Sequence, residues 1–165
     1  MYVDDRYVPE RARNPLVNSP AGGRVLSAMQ LLWFMVFPPS GFGVLTTKGR
    51  RTGKTRRRCV RAIRAGDKVY LVAIGGRRSG WLKNALANAE VRLRIRSGAF
   101  SGAIRAPRDE AETAEAERTY CAKINPFDYG ECLMHRRGLP SRGKIVGLHH
   151  EWFQGGTPLV CELRR

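Results

Sequence analysis

Acidic residues are scarce in this chain, and the shortage is local. Across 165 residues, 14 Asp and Glu stand against 30 Lys and Arg. Between Thr46 and Ala106 seventeen Lys and Arg face only Asp67 and Glu90, a balance of +15 out of a net +16. A field of that kind suits an anionic partner: nucleic acid, an anionic membrane, or a small molecule carrying phosphate or carboxylate. Other absences narrow the choice. Cys59, Cys121, Cys132 and Cys161 form no CxxC pair and no zinc spacing, and no secretory segment opens the sequence. A reduced, cytoplasmic setting is therefore expected. The adjacent His149 and His150 would point to opposite faces of a strand, and no metal is expected. Helix-turn-helix and zinc patterns for duplex DNA are missing, as are interleaved aromatics for single strands, so no nucleic acid partner is expected. The sequence contains no repeat, low-complexity tract or linker.

No apolar run reaches the roughly 20 residues that span a bilayer. The longest, Val25 to Phe37 (VLSAMQLLWFMVF), has thirteen and is closed by Pro38-Pro39. It reads as a buried or capping helix started by Ser19-Pro20. A second reading is an interfacial helix with Leu32, Trp33, Phe34 and Phe37 in lipid, giving a peripheral contact on the inner face of the membrane.

What the chain does have is concentrated in KGRRTGKTRRR, from Lys48 to Arg58, with seven basic side chains, two glycines and no acid. It is one residue short of a nucleotide phosphate loop. Gly49 and Gly53 enclose three residues where four precede the Gly-Lys-Thr triplet. A strand-like sequence follows where a helix would have to start. An anion-binding loop is expected, and an ATPase is not.

Strand patterns cover Phe42–Thr47, Arg57–Arg64, Lys68–Ile74, Val91–Arg96, Ala99–Ala106 and Thr157–Leu163. The Ala65-Gly66-Asp67 turn joins the second and third. Val91–Arg96 alternates apolar residues with Arg, which predicts an exposed face for Arg92, Arg94 and Arg96. Helices are expected over about Gly23–Phe37, from an N-cap at Ser79 through Ala87, and over Asp109–Ile124. The stretch between Ile124 and Thr157, rich in Gly and Pro, reads as a loop. The expected fold is α+β, mainly β: a six-stranded antiparallel split β-barrel with helices packed outside. It forms a single domain over 1–165, with an N-terminal arm and helix over 1–38 and no βαβ alternation.

The ordered series Leu45-Thr46-Thr47, Gly49-Arg50-Arg51-Thr52-Gly53-Lys54-Thr55-Arg56, Gly66-Asp67, Val72-Ala73, Gly75-Gly76, Trp81-Leu82-Lys83-Asn84, Ala87-Asn88 and Val91-Arg92-Leu93 resembles the deazaflavin-dependent nitroreductase and quinone reductase family. Its members use coenzyme F420 on a split β-barrel. The resemblance implies that Arg50, Arg51, Thr52, Gly53 and Arg56 hold the phosphate and the oligoglutamate tail. Cys59 and Val60 would lie against the deazaflavin ring, with Ala73, Ile74, Gly75, Gly76, Trp81 and Asn84 across from them. FMN is a second candidate cofactor. Tyr129 is the candidate catalytic residue, with Phe127, Trp152 and Phe153 as further aromatics near the acceptor. The implied reaction passes hydride from F420H2 to a quinone, nitroaromatic or similar conjugated acceptor.

Two departures stand out. Relatives carry a proline followed by a large apolar residue at Cys59-Val60, and a longer loop than the four residues between Gly76 and Trp81. A non-catalytic carrier of F420, flavin, haem or fatty acid therefore stays open beside the reductase, and behind both a basic nucleic-acid- or membrane-binding protein. A monomer or homodimer fits either.

Overall fold

The computed structural model describes residues 20–164; the arm expected over residues 1–18 lies outside them. Helix α1 (Pro20–Val36) precedes strands β1 (Phe42–Lys48), β2 (Thr55–Ala65) and β3 (Lys68–Ala73). A short 3-10 turn, Gly76–Arg78, leads into α2 (Gly80–Ala87), then β4 (Glu90–Ile95) and β5 (Gly98–Arg105). Helices α3 (Glu110–Ala122), α4 (Pro126–His135) and α5 (Arg142–Gly155) come before the last strand, β6 (Thr157–Arg164). The strands close into a barrel in the order β1-β2-β3-β6-β5-β4, antiparallel at every pairing. Closure leaves no unpaired sheet edge to template aggregation.

The strand patterns follow from what covers each outer face. On β4, Val91, Leu93 and Ile95 point into the barrel, while Arg92 and Arg96 are exposed on the open side. On β3 both faces are buried. Val69, Leu71 and Ala73 join the barrel interior, and Tyr70 and Val72 lie beneath α3 and α5 with Tyr120 and Phe153. Leu82 and Ala85 of α2 complete the interior cluster at one end. A third cluster sets Phe34 of α1 on Phe42 and Val44, with Phe127 of α4 edge-on to both rings at 5.2 and 4.8 Å.

Among the described residues charge is buried at Glu112, which Arg105 and Lys68 neutralise from β5 and β3, and most deeply around Arg61. Arg61 leaves the outer face of β2 and bonds Asp128 of α4 through Nε (3.2 Å), with Nη1 and Nη2 donating to the Tyr120 and Lys123 carbonyls. His149 of α5 touches the same Asp128 oxygen through Nε2 at 3.3 Å. One ionic knot thus ties three helices to the barrel wall.

The expectation of three helices and a loop over 125–156 is corrected here: among the described residues there are five α-helices. Gly130, Gly138, Pro140, Gly143 and Gly147 punctuate that stretch, but packing outweighs their low helix propensity. Ile145, Leu148, His149, Trp152 and Phe153 recur at helical spacing and are all buried. Asn125 begins α4 with a capping box completed by Asp128, and Pro126 occupies the first turn. His149 and His150 accordingly sit on a helix, the first buried and the second against Glu117 at 3.1 Å.

Candidate functional site

The basic loop closes β1 onto β2. Lys48 pairs with Thr55, and the six residues between them are held by Gly49 N to the Lys54 carbonyl and Gly53 N to the Gly49 carbonyl, both 2.8 Å. Gly53 has φ of +66°, which a side chain would strain. A Cβ on Gly49 would meet the Lys54 carbonyl oxygen at 3.0 Å. Strand β2, and not a helix, follows Lys54-Thr55, so no helix N-terminus lies beneath this loop.

Asn84 of α2, buried to 8% exposure, fixes the loop from the side. Its Oδ1 accepts from the Arg50 backbone N–H (3.3 Å) and from Arg50 Nη1 (3.2 Å), and its Nδ2 donates to Thr47 Oγ1 (3.4 Å). Between the loop, β2 and α2 runs a groove of about 480 Å³, bordered by Arg50, Arg51, Thr52, Arg56, Trp81 and Asn84, with Gly49, Arg57, Arg58 and Gly80 completing it. Arg51, Lys54, Arg56, Arg57 and Arg58 have no acidic partner among the described residues. Unpaired guanidinium groups in a cleft suit phosphate and carboxylate, which each can meet two oxygens at a time.

Arg58, Gly80 and Trp81 also border a second cavity of about 440 Å³, so the two spaces adjoin at the indole. Cys59, Val60, Ile74 and Gly75 line it from the barrel, Gln30 from α1, Glu131 from α4 and Trp152 from α5. Burial, opposed by the charge of Arg58, pushes the Cys59 thiol up to about 11. It is protonated at neutral pH, a soft apolar wall and not a nucleophile.

The structure therefore brings most of the expected residues to two adjoining cavities. Gly53 shapes the loop without lining the groove. Ala73 is fully buried, its side chain in the barrel core, and Gly76, at φ of +51°, starts the turn into α2. Tyr129 sits on α4, 37% exposed, and borders neither cavity. Of the other C-terminal aromatics, Trp152 borders the second cavity, whereas Phe127 and Phe153 are packed in the two outer clusters. Sequence reasoning passed over Arg57, Arg58, Gln30 and Glu131. Arg58 was findable, since Arg56, Arg58 and Val60 alternate on one face of a strand. Glu131 was hidden with the helix that carries it. Among the described residues no group of three His, Cys, Asp or Glu could hold a metal.

Known proteins share this architecture. A solved chain described as a domain-swapped dimer is 16% identical, covering 86% of this chain and 94% of its own, with a TM-score of 0.52. A putative 5-nitroimidazole antibiotic resistance protein from Bacteroides thetaiotaomicron is 10% identical over 83% of this chain and 80% of its own, at 0.50. An F420-H2 dependent reductase, FDR-A, is 19% identical over 74% of this chain and 95% of its own, at 0.42. At such identities the likeness to the first two is one of fold, and the third, at 0.42, carries no argument. No curated protein matches the sequence significantly. Residues 35–130, which carry the loop, both cavities' barrel walls and α2, match the F420H(2)-dependent quinone reductases, and the chain belongs to that family.

Proposed function

We propose that this chain, an F420-dependent oxidoreductase by family, passes hydride from F420H2 to a quinone or similar conjugated acceptor. The observation that carries the reading is a pair of adjoining cavities: an arginine groove that shares Arg58, Gly80 and Trp81 with a cavity walled by Cys59, Val60 and Ile74. The donor set fits the cofactor's two ends. Arg51, Thr52 and Arg56 would hold the phosphate and carboxylate tail, and Val60, Gly75 and Trp81 would enclose the planar ring. Bound F420H2 supplies the hydride. The chain's part is to orient the ring, exclude water and leave one side open to the acceptor, where Trp152, Gln30 and Glu131 border the cavity.

The test is a titration of purified protein with F420, FMN and haem, followed by turnover with menadione or a nitroaromatic. F420 should bind, and F420H2 should be oxidised only with acceptor present, with NADPH ineffective as donor. Changing Arg51 and Arg56 together to Ala should weaken F420 binding at least about tenfold, since each charge-assisted bond contributes about 1.5–3 kcal/mol. Unchanged affinity in the double variant would remove the tail assignment. Tight F420 binding without oxidation across several acceptors would make the chain a carrier.

A further inference from the structure

Helix α1 is apolar on both sides. Leu31, Phe34 and Met35 turn to the barrel with Phe42 and Val44. The opposite stripe of a surface helix is ordinarily polar. Here Val25, Met29, Leu32, Trp33 and Val36 follow one another at helical spacing, Phe37 continues them, and all six are between 52% and 72% exposed. Exposed apolar patches of this kind mark a contact surface.

Strand register decides what flanks the ridge. Directly paired residues face the same side of a sheet. Val44, beneath α1, pairs with Arg94, and Thr46 pairs with Arg92. Arg94 reaches the helix end, its Nη2 donating to the Val36 carbonyl oxygen at 3.4 Å. Arg92 and Arg96 continue the row, exposed. Opposite them on β5 stand Ala99 and Ser101, and the acid that begins the same face, Glu90, is paired with Arg164, so no unpaired acid interrupts the row. The apolar ridge runs beside a basic comb.

We propose that this face docks on an anionic lipid surface, α1 lying in the interface with Leu32, Trp33, Val36 and Phe37 in the acyl boundary and the β4 arginines on the headgroups. None of the described helices is long and apolar enough to cross a membrane, which makes the contact peripheral. A second copy of the chain is the poorer occupant: a two-fold contact through α1 would bring two like-charged faces together. Gln30 of the same helix borders the second cavity. On the functional reading above, docking would bring that cavity's mouth to the bilayer and put a lipid-dissolved acceptor within reach.

The experiment is co-sedimentation of the full chain with phosphatidylcholine vesicles, with and without phosphatidylglycerol, in the absence of cofactor. Binding should require the anionic lipid and fall with added salt. Leu32→Ser with Phe37→Ser, and separately Arg92→Gln with Arg96→Gln, should each lower the partition about tenfold, with F420 affinity unchanged. Should the Ser pair fail to give soluble protein, the Arg pair carries the test. The proposal is overturned if anionic vesicles leave the protein in the supernatant, if both variants sediment like the parent, or if the Ser pair dissolves a concentration-dependent dimer. Vesicle binding without any F420 binding would overturn the functional reading and leave this one standing.

Discussion

Three carboxylates are held below their ordinary pKa, each for a local reason. At Glu112 the bond from Arg105 leads, at 2.6 Å, joined by the Arg108 backbone N–H and by Lys68. At Glu162 the Arg105 guanidinium does the same from the surface. At Asp128 burial pushes the carboxyl up, but the bond from His149 and the charge of Arg61 outweigh it. A carboxyl whose folded pKa lies below its unfolded one adds stability above the unfolded value, near pH 4, and loses it as the pH falls through the folded value. The fold should therefore melt at a steady temperature from pH 8 to about 5 and lose stability progressively below about 4. Glu112→Gln should flatten that acid slope; a variant as acid-sensitive as the parent would contradict the assignment. Asp128→Ala should be harsher at neutral pH, on the order of 3–5 kcal/mol, because Arg61 keeps its buried charge without its counter-ion.

At the scale of elements, the six strands were legible because their signals are local. β4 alternates apolar residues with arginine from Val91 onward, and the β2–β3 hairpin is marked by Gly66-Asp67, where Gly66 has φ of +62°. The candidate groove was legible for the same reason, since most of it lies on one loop and the strand after it. What stayed hidden depends on distant contacts. The i, i+3, i+4 stripe of α5 was present in the sequence, but glycines masked it, and its partners Tyr120 and Tyr70 come from α3 and β3. The far wall of the second cavity is carried by α1, α4 and α5, so Gln30, Glu131 and Trp152 meet only after folding. Asn84 shows the same limit: its residue type suggests a polar wall, whereas its bonds make it the clamp between α2 and the basic loop. Asn84→Ala should cost about 1–3 kcal/mol in thermal or chemical unfolding, the penalty for a buried unsatisfied group. It should also raise amide exchange from Gly49 to Lys54. Loop protection identical to the parent would remove Asn84 from that role.

For the molecule as a whole, a +15 balance carried by residues 46–106 makes the cofactor face and the fold respond oppositely to salt. Arg51, Arg56, Arg57 and Arg58 repel one another and have no ion-pair partner among the described residues, which destabilises the compact state without its anion. Raising ionic strength from 0.01 M to 0.1 M shortens the screening length from about 30 to about 10 Å. That weakens repulsion among arginines spaced along the loop and strand, so the cofactor-free protein should melt higher. The same screening weakens attraction for a polyanionic tail, so F420 affinity should fall. A salt bridge network that held the fold together would instead lower both together. The two readouts are a melting curve of the cofactor-free protein and an F420 fluorescence titration, run across one sodium chloride series. Melting temperature and affinity should move in opposite directions, and the Arg51→Ala, Arg56→Ala variant should lose part of both dependences. If melting temperature fell with salt, self-repulsion would not be what limits this fold. If F420 affinity ignored salt, its tail would not lie in the arginine groove.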